Sequence, residues 1–258
     1  LNRQRKSMSE YYTPLRTKNL YDPCSITPFK ISRSKIELFV ECPRCFYLDR
    51  RLGTGRPPGF PFNLNSAVDA LLKKEFDAFR LRGEKHPLQV KNNIDAVPMP
   101  HPDLEIWRTN FTGIQHLHQA TNLLVFGAID DLWQDREGRF IVVDYKATSK
   151  KESITELNKP WQDSYKRQME IYQWLLRRNG YCVSDTGYFV YCNADRSRIS
   201  FEGRLEFEIN LIPYTGSDAW VEQTILAAHA CLNRDTIPSP GENCDYCSYI
   251  AAVEKHQA

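Results

Sequence analysis

Apolar positions recur at helical spacing early in the chain, at strand spacing in the middle, and at helical spacing again near the end. Residues 1 to 30 are polar and broken by proline, which predicts an N-terminal arm with little fixed structure. "SRSKIELFVECPRCFYLDRRL", Ser32 to Leu52, predicts a helix: Ser34 and Glu37 stand at capping-box spacing, and Ile36, Phe39, Val40 and Phe46 share a face. "GTGRPPGFP" then reads as a loop. A second helix is expected over Asn63 to Arg82, its apolar stripe formed by Leu64, Val68, Leu71, Leu72, Phe76 and Phe79.

The middle of the chain turns to strands. "NLLVFGAIDDLW" (Asn122 to Trp133) and "RFIVVDYKA" (Arg139 to Ala147) flank the polar "QDREG", and together they predict a hairpin. A helix over Ser164 to Asn179 should stop at Gly180. Strands are expected near Gly187 to Cys192 and Arg204 to Ile212, and a last helix over Ser217 to Asn233. Helices enclosing a short run of strands predict an α/β fold, a mixed central sheet flanked by helices. No internal repeat or low-complexity segment interrupts it.

Composition narrows the class. With 258 residues, 41% hydrophobic and 26% charged, the chain reads as one globular domain with an appended arm. A net charge of +2 does not announce a polyanion partner, but basic residues bunch at Arg44, Arg50, Arg51 and Arg56, then at Lys73, Lys74, Arg80, Arg82 and Lys85. Such a stripe could follow a phosphate backbone or simply be solvated helix faces. No run approaches the ~20 apolar residues that span a bilayer, and "LNRQRKSMSEYYTP" lacks the apolar core of a secretory signal. Eight unevenly spaced cysteines suggest a reducing, cytoplasmic setting in which thiols are free for metal. No phosphate-binding glycine motif and no H-E-x-x-H pair occurs. The histidines, His116 and His118 included, read as surface or satisfied core residues.

Candidate chemistry centres on "IVVDYKAT". Side chains alternate along a strand, so Asp144 and Lys146 share a face with Val142 while Tyr145 points the other way. A lone D-x-K would be read as a salt bridge. Here the expected partner strand brings Asp130 and Asp131 alongside. Two carboxylates at adjacent strand ends repel each other and resist burial unless a cation lies between them. An oxygen-preferring divalent ion, Mg²⁺ or Mn²⁺, resolves that conflict. The lysine could then steady a water or stabilise charge growing on a phosphate, so the parts describe metal-dependent phosphodiester hydrolysis.

"GAIDDLW" followed by "IVVDYKAT" and by "KRQMEIYQWLL" resembles the PD-(D/E)XK nuclease superfamily, in particular its RecB-like branch. The motifs stand in that branch's order over roughly Ser32 to Cys247. The resemblance implies a restriction-endonuclease-like core over residues 31–258. It implies Asp130 and Asp144 as metal ligands, the Tyr145 carbonyl as a further ligand and Lys146 as the catalytic lysine. Gln168 and Tyr172 would match the branch's Q-x-x-x-Y helix, with Gln168 touching substrate or orienting the lysine. Asp131 would face away. The family usually adds an upstream helical residue, often a His in a G-x-x-x-H setting; "NLNSAVDALLKKEFD" departs from it, with no glycine and with Asp69 where the histidine would fall. The helical wheel places Glu75 near the centre of the stripe; Asp69 is taken as the ligand and Glu75 is kept as a candidate beside it. Either acid could instead pair with a helix lysine. The branch implies DNA as substrate, as single strands or ends, with exonucleolytic cutting in DNA repair and a helicase, recombination or CRISPR partner protein. The alternative is a catalytically weak nucleic-acid-binding or recombination-accessory module that keeps the scaffold.

Two C-x-x-C pairs, Cys42 with Cys45 and Cys244 with Cys247, have the spacing of a tetrahedral thiolate site. RecB-like nucleases of CRISPR adaptation, which this layout resembles, carry a 4Fe-4S cluster on one cysteine before the core and three after it. This chain has two and two, so either Cys45 replaces the missing ligand of an iron–sulfur cluster, the reading preferred from resemblance, or the site holds structural Zn²⁺. Cys182 and Cys192 read as small core residues; Cys24 and Cys231 have no assigned role.

Overall fold

In a computed structural model, residues 12–59 and 63–256 are described. In chain order the early elements are β1 (Phe29–Ser32), α1 (Arg33–Glu41), α2 (Pro43–Arg50), α3 (Asn63–Arg82), α4 (Pro87–Lys91) and β2 (Ala96–Pro98). Next come α5 (Leu104–Trp107), β3 (Ile114–His118), β4 (Leu123–Gly127), β5 (Asp131–Asp135) and β6 (Phe140–Thr148). The last are α6 (Asp163–Arg178), β7 (Thr186–Ala194), β8 (Phe207–Thr215), α7 (Ala219–Leu232) and α8 (Asp245–Glu254). The chain divides into two compact units, one of Leu1–Pro61, Leu117–Val125 and Glu222–Ala258, the other of Phe62–His116 and Phe126–Val221.

In the first unit, the single helix expected over 32 to 52 is two helices broken at Cys42. Pro43 has no amide to continue the ladder and pushes the preceding residue out of helical backbone, and Cys42 is extended at φ −159°, ψ 102°. Cys42 thereby caps α2, accepting from the Cys45 amide on its sulfur. The capping box anticipated from Ser34 and Glu37 does not form; Ser32 is the N-cap and its side chain makes no capping bond. Of the expected arm, residues 1–11 lie outside the described residues. From Tyr12 onward the chain forms no helix or strand until β1, yet it is tied down. The Arg16 amide donates to Gly53 O at 2.9 Å, and buried Tyr21 donates its amide to Arg50 O at 2.7 Å. The first basic cluster is spent internally: Arg44 donates to Pro238 O, Arg51 to Tyr21 O, Arg50 to Asp49, and Arg56 to Glu41.

The second unit is built on a five-stranded mixed sheet of order β2-β5-β6-β7-β8. β5 and β6 are antiparallel, with Asp131 opposite Val143, and β6 and β7 are parallel, with Asp144 opposite Phe189 and Lys146 opposite Tyr191. A parallel pair needs a crossover, which α6 supplies. Helix α3 covers one face, where Leu72 and Phe76 pack with Trp133, Val143, Tyr145, Val190 and Cys192. Leu64 and Leu71, expected in the stripe, are exposed. At Gly187 a Cβ would stand 2.4 Å from Met169 Sδ and 2.9 Å from Val142 O, so only glycine lets α6 approach the sheet this closely. Gly180, at φ +86°, ends α6 where expected.

The predicted hairpin is half right. The run Asn122 to Trp133 is two strands, because β4 joins a separate three-stranded sheet of order β1-β4-β3 and only β5 pairs with β6. Between them the backbone is held from outside either sheet: the Ile129 amide donates to Trp107 O at 3.1 Å, and Arg108 Nε donates to Asp130 O at 3.0 Å. No described helix is long and apolar enough to cross a membrane.

Candidate functional site

The alternation of β6 sets the site. Val142, Asp144 and Lys146 occupy one face, Val143 and Tyr145 the other. Asp144 is fully buried, and the Lys146 ammonium lies against its Oδ1 as an ion pair. Neither Asp144 oxygen receives a hydrogen bond of ordinary geometry. Asp130 immediately precedes β5, where continuation of the β5–β6 register sets it opposite Asp144. Its Oδ2 accepts the Tyr145 amide at 2.8 Å. Burial and the neighbouring Asp144 charge push the Asp130 carboxyl up to about 7, despite the opposing pull of Lys146 and Lys73.

Burial disfavours the Lys146 ammonium, but Asp144 and Asp130 outweigh it and raise its pKa above the usual lysine value. The ammonium donates to Gln168 Oε1 at 3.2 Å and lies 4.5 Å from the centre of the Tyr165 ring. Gln168 Nε2 donates in turn to Tyr172 Oη at 2.9 Å. One helix turn of α6 thus orients the lysine through a relay, and Tyr172 is buried.

The helical acids differ from each other. Asp69 accepts from Lys73 at 2.9 Å, and the same ammonium stands 3.8 Å from Asp130 Oδ1, so a lysine bridges the two acids. Glu75 is not at the centre of the buried face: its side chain is 55% exposed and bonds His86 at 2.8 Å. The wheel failed because Leu72, Phe76 and Arg80 define the covered face, while Leu64 and Leu71, which weighted it, stand in solvent.

Asp131 faces away from Asp130 and is fully satisfied. It takes hydrogen bonds from Arg80, from Arg108 Nη2 at 2.8 Å, from Tyr145 Oη at 2.7 Å and from the Leu132 amide at 2.8 Å. Arg108 also holds Asp77 and the Asp130 carbonyl. Sequence reasoning missed this brace. In the sequence Arg80 belongs to a basic cluster open between a phosphate path and solvated helix faces, and the signal for the brace is a basic residue at helical spacing from Leu72 and Phe76. Two charged rows thus lie back to back on one strand end, Asp131 braced by Arg80 and Arg108 on one face and Asp130 with Asp144 and Lys146 on the other.

Carboxylate oxygens from two facing acids fit a hard divalent cation, and Asp130 and Asp144 are the residues that could hold it. Among the described residues, Cys42, Cys45, Cys244 and Cys247 form a second group fit for metal, their sulfurs all within 4.8 Å of one another. Adjacent separations are 3.5 Å for Cys45–Cys244 and 3.7 Å for Cys42–Cys247 and Cys45–Cys247. Although burial opposes it, amides of Gly241 and Cys45 bring the Cys42 thiol down to about 6, whereas burial pushes Cys45 up to about 11 and raises Cys247 as well. Cys192 is buried as expected, whereas Cys182 is exposed; Cys24 is exposed and Cys231 buried. His118 is a satisfied core residue, bonded to Thr121 and Glu222 at 2.7 Å each.

No curated protein matches the chain. The sequence model of the PD-(D/E)XK nuclease superfamily matches residues 30–252.

Proposed function

The chain belongs to the PD-(D/E)XK nuclease superfamily, and from that premise we propose that it hydrolyses DNA phosphodiester bonds with a divalent metal, Mg²⁺ or Mn²⁺. The observation that carries the reading is a pair of acids facing each other at the strand ends: Asp144, wholly buried and ion-paired with Lys146, stands opposite Asp130. Asp130 and Asp144 would hold the ion, with the Tyr145 carbonyl and Asp69 as further ligands. When bound, the ion supplies Lewis-acid polarisation of the phosphate and a more acidic water.

The chain's own residues do the rest. Lys146 would position or activate the attacking water, or donate a hydrogen bond to negative charge growing on the phosphate. Gln168 fixes the ammonium and Tyr172 fixes Gln168. The three motifs in order, with the Gln168–Lys146 contact, support the RecB-like branch, and with it single strands or ends as substrate, exonucleolytic cutting in repair, and a helicase, recombination or CRISPR partner. The family match runs through both compact units, which supports treating residues 31–258 as one nuclease domain behind an N-terminal arm. Eight cysteines without a disulfide support the cytoplasm.

For the cysteine centre, sulfurs bound to one zinc at ~2.3 Å stand about 3.8 Å apart at tetrahedral corners; here three of the six pairs stand 3.5–3.7 Å apart and all lie within 4.8 Å. The thiolates of a 4Fe-4S cluster bind four different irons and must stand farther apart. We therefore favour structural Zn²⁺ over the cluster that the resemblance implied.

The pairing of Asp69 with Lys73 is the observation that favours the alternative, an accessory module with a weakened metal site. Labelled single- and double-stranded DNA incubated with Mn²⁺ or EDTA separates the two. The parent should cut in Mn²⁺ alone, and Lys146→Ala should lose about 100-fold or more. Equal cutting by Lys146→Ala would refute the assigned role.

A further inference from the structure

The connection leaving β6 carries groups that the hydrolytic site does not use. Trp161, in the short 3₁₀ turn Pro160–Gln162, is 49% exposed. Its ring meets Tyr165 edge-on with centroids 5.7 Å apart, and Tyr165 is the ring beneath the Lys146 ammonium. On the other side, Lys150 Nζ lies 5.8 Å from the indole. Cations and rings therefore alternate outward from the site, and the indole lies within about 10 Å of Lys146.

This surface is built. Buried Asn193 accepts the Lys150 amide at 2.7 Å and donates to the carbonyls of Lys150 and Glu152 at 3.1 and 3.3 Å. Asn210 donates to Ser153 Oγ and Ile154 O. Fully buried Gln162 accepts the Lys159 amide at 2.9 Å. Polar bonding of this kind, which holds a loop so that its largest apolar ring faces water, suggests a partner for the ring.

The loop's charge says which partner. Lys150, Lys151 and Lys159 are offset by Glu152 and Glu156, with Glu156 engaged by Asn158. That balance is too weakly basic to track a duplex by its phosphates alone. Bases in a duplex are stacked on each other, whereas an unpaired base offers its face to an aromatic ring. We propose that Trp161 is a stacking platform for a base of single-stranded DNA, with Lys150 beside it for the adjoining phosphate. The inference rests on the nuclease reading for the path of the strand.

The test uses the full chain without added Mg²⁺ or Mn²⁺, with a fluorescein-labelled single-stranded oligonucleotide and its duplex, read by anisotropy. Trp161→Ala should weaken single-strand binding about tenfold and leave duplex binding unchanged, while Trp161→Phe keeps most of the affinity. An unchanged melting temperature checks the fold of each variant. If Trp161→Ala binds the single strand as tightly as the parent, or if Trp161→Phe falls as far as Trp161→Ala, the platform is refuted. Cleavage in Mn²⁺ is read on the same samples. A parent that cuts nothing while Trp161→Ala still loses single-strand binding would refute hydrolysis and leave the platform standing. A parent that cuts while Trp161→Ala binds normally would refute the platform alone.

Discussion

Asp130 and Asp131 are neighbours of identical chemistry with opposite fates, and the difference lies in what each finds on its side of the strand. Strand alternation made it legible that they point apart. It could not supply Arg80 and Arg108, which reach Asp131 from positions 51 and 23 residues away and leave it satisfied at 0% exposure. Because Arg108 also holds the Asp130 carbonyl, the brace positions the acid on the other face. Arg108→Ala should lower stability by about 3 kcal/mol, since it removes one partner from a buried charge network; urea unfolding checks this. Asp49 gives a prediction of another kind. Burial alone would raise its pKa, but hydrogen bonds from Lys35 and Arg50 prevail and hold it below the ordinary value. Its stabilising effect is therefore present above the unfolded value of about 3.9 and is lost as pH falls below it. The gap in urea midpoint between parent and Asp49→Asn should be wide at pH 7 and shrink under acid; a gap constant with pH would contradict this.

At the scale of elements, long periodic segments were readable and their interruptions were not. Helix α6 runs within a residue of its expected bounds because a strong apolar face and Gly180 define it. The helix over 32–52 breaks because Pro43 overrides the periodicity around it, and the break turns Cys42 into a cap whose sulfur also meets the Gly241 amide at 3.2 Å. The strand run Asn122 to Trp133 hides a change of sheet, since an apolar string carries no mark of its partner. Short elements such as β2, α4 and α5 lack the length to show a period. Gly187 makes the packing of α6 testable. Gly187→Val should force α6 from β6, lower stability by about 1–3 kcal/mol and weaken activity further by moving Gln168 off Lys146. Thermal melts beside cleavage rates would show both, and an unperturbed melt would mean that the contact with Met169 yields freely.

For the whole molecule, two groupings were legible from spacing: carboxylates with a lysine at the strand ends, and four cysteines brought together from the two ends of the described chain. What spacing could not choose was the metal. Cys244→Ser should remove one bound metal per chain and lower the melting temperature by several degrees, with zinc and no iron in the parent by elemental analysis. Retained metal with an unchanged melt would remove the staple. The account as a whole depends on Asp130 and Asp144 sharing a divalent cation. Mn²⁺ binding to the DNA-free protein, followed by electron paramagnetic resonance of the free ion, addresses that claim without requiring turnover. The parent should take up Mn²⁺ saturably and Asp144→Ala should not, whereas equal uptake by Asp144→Ala would contradict the proposed site.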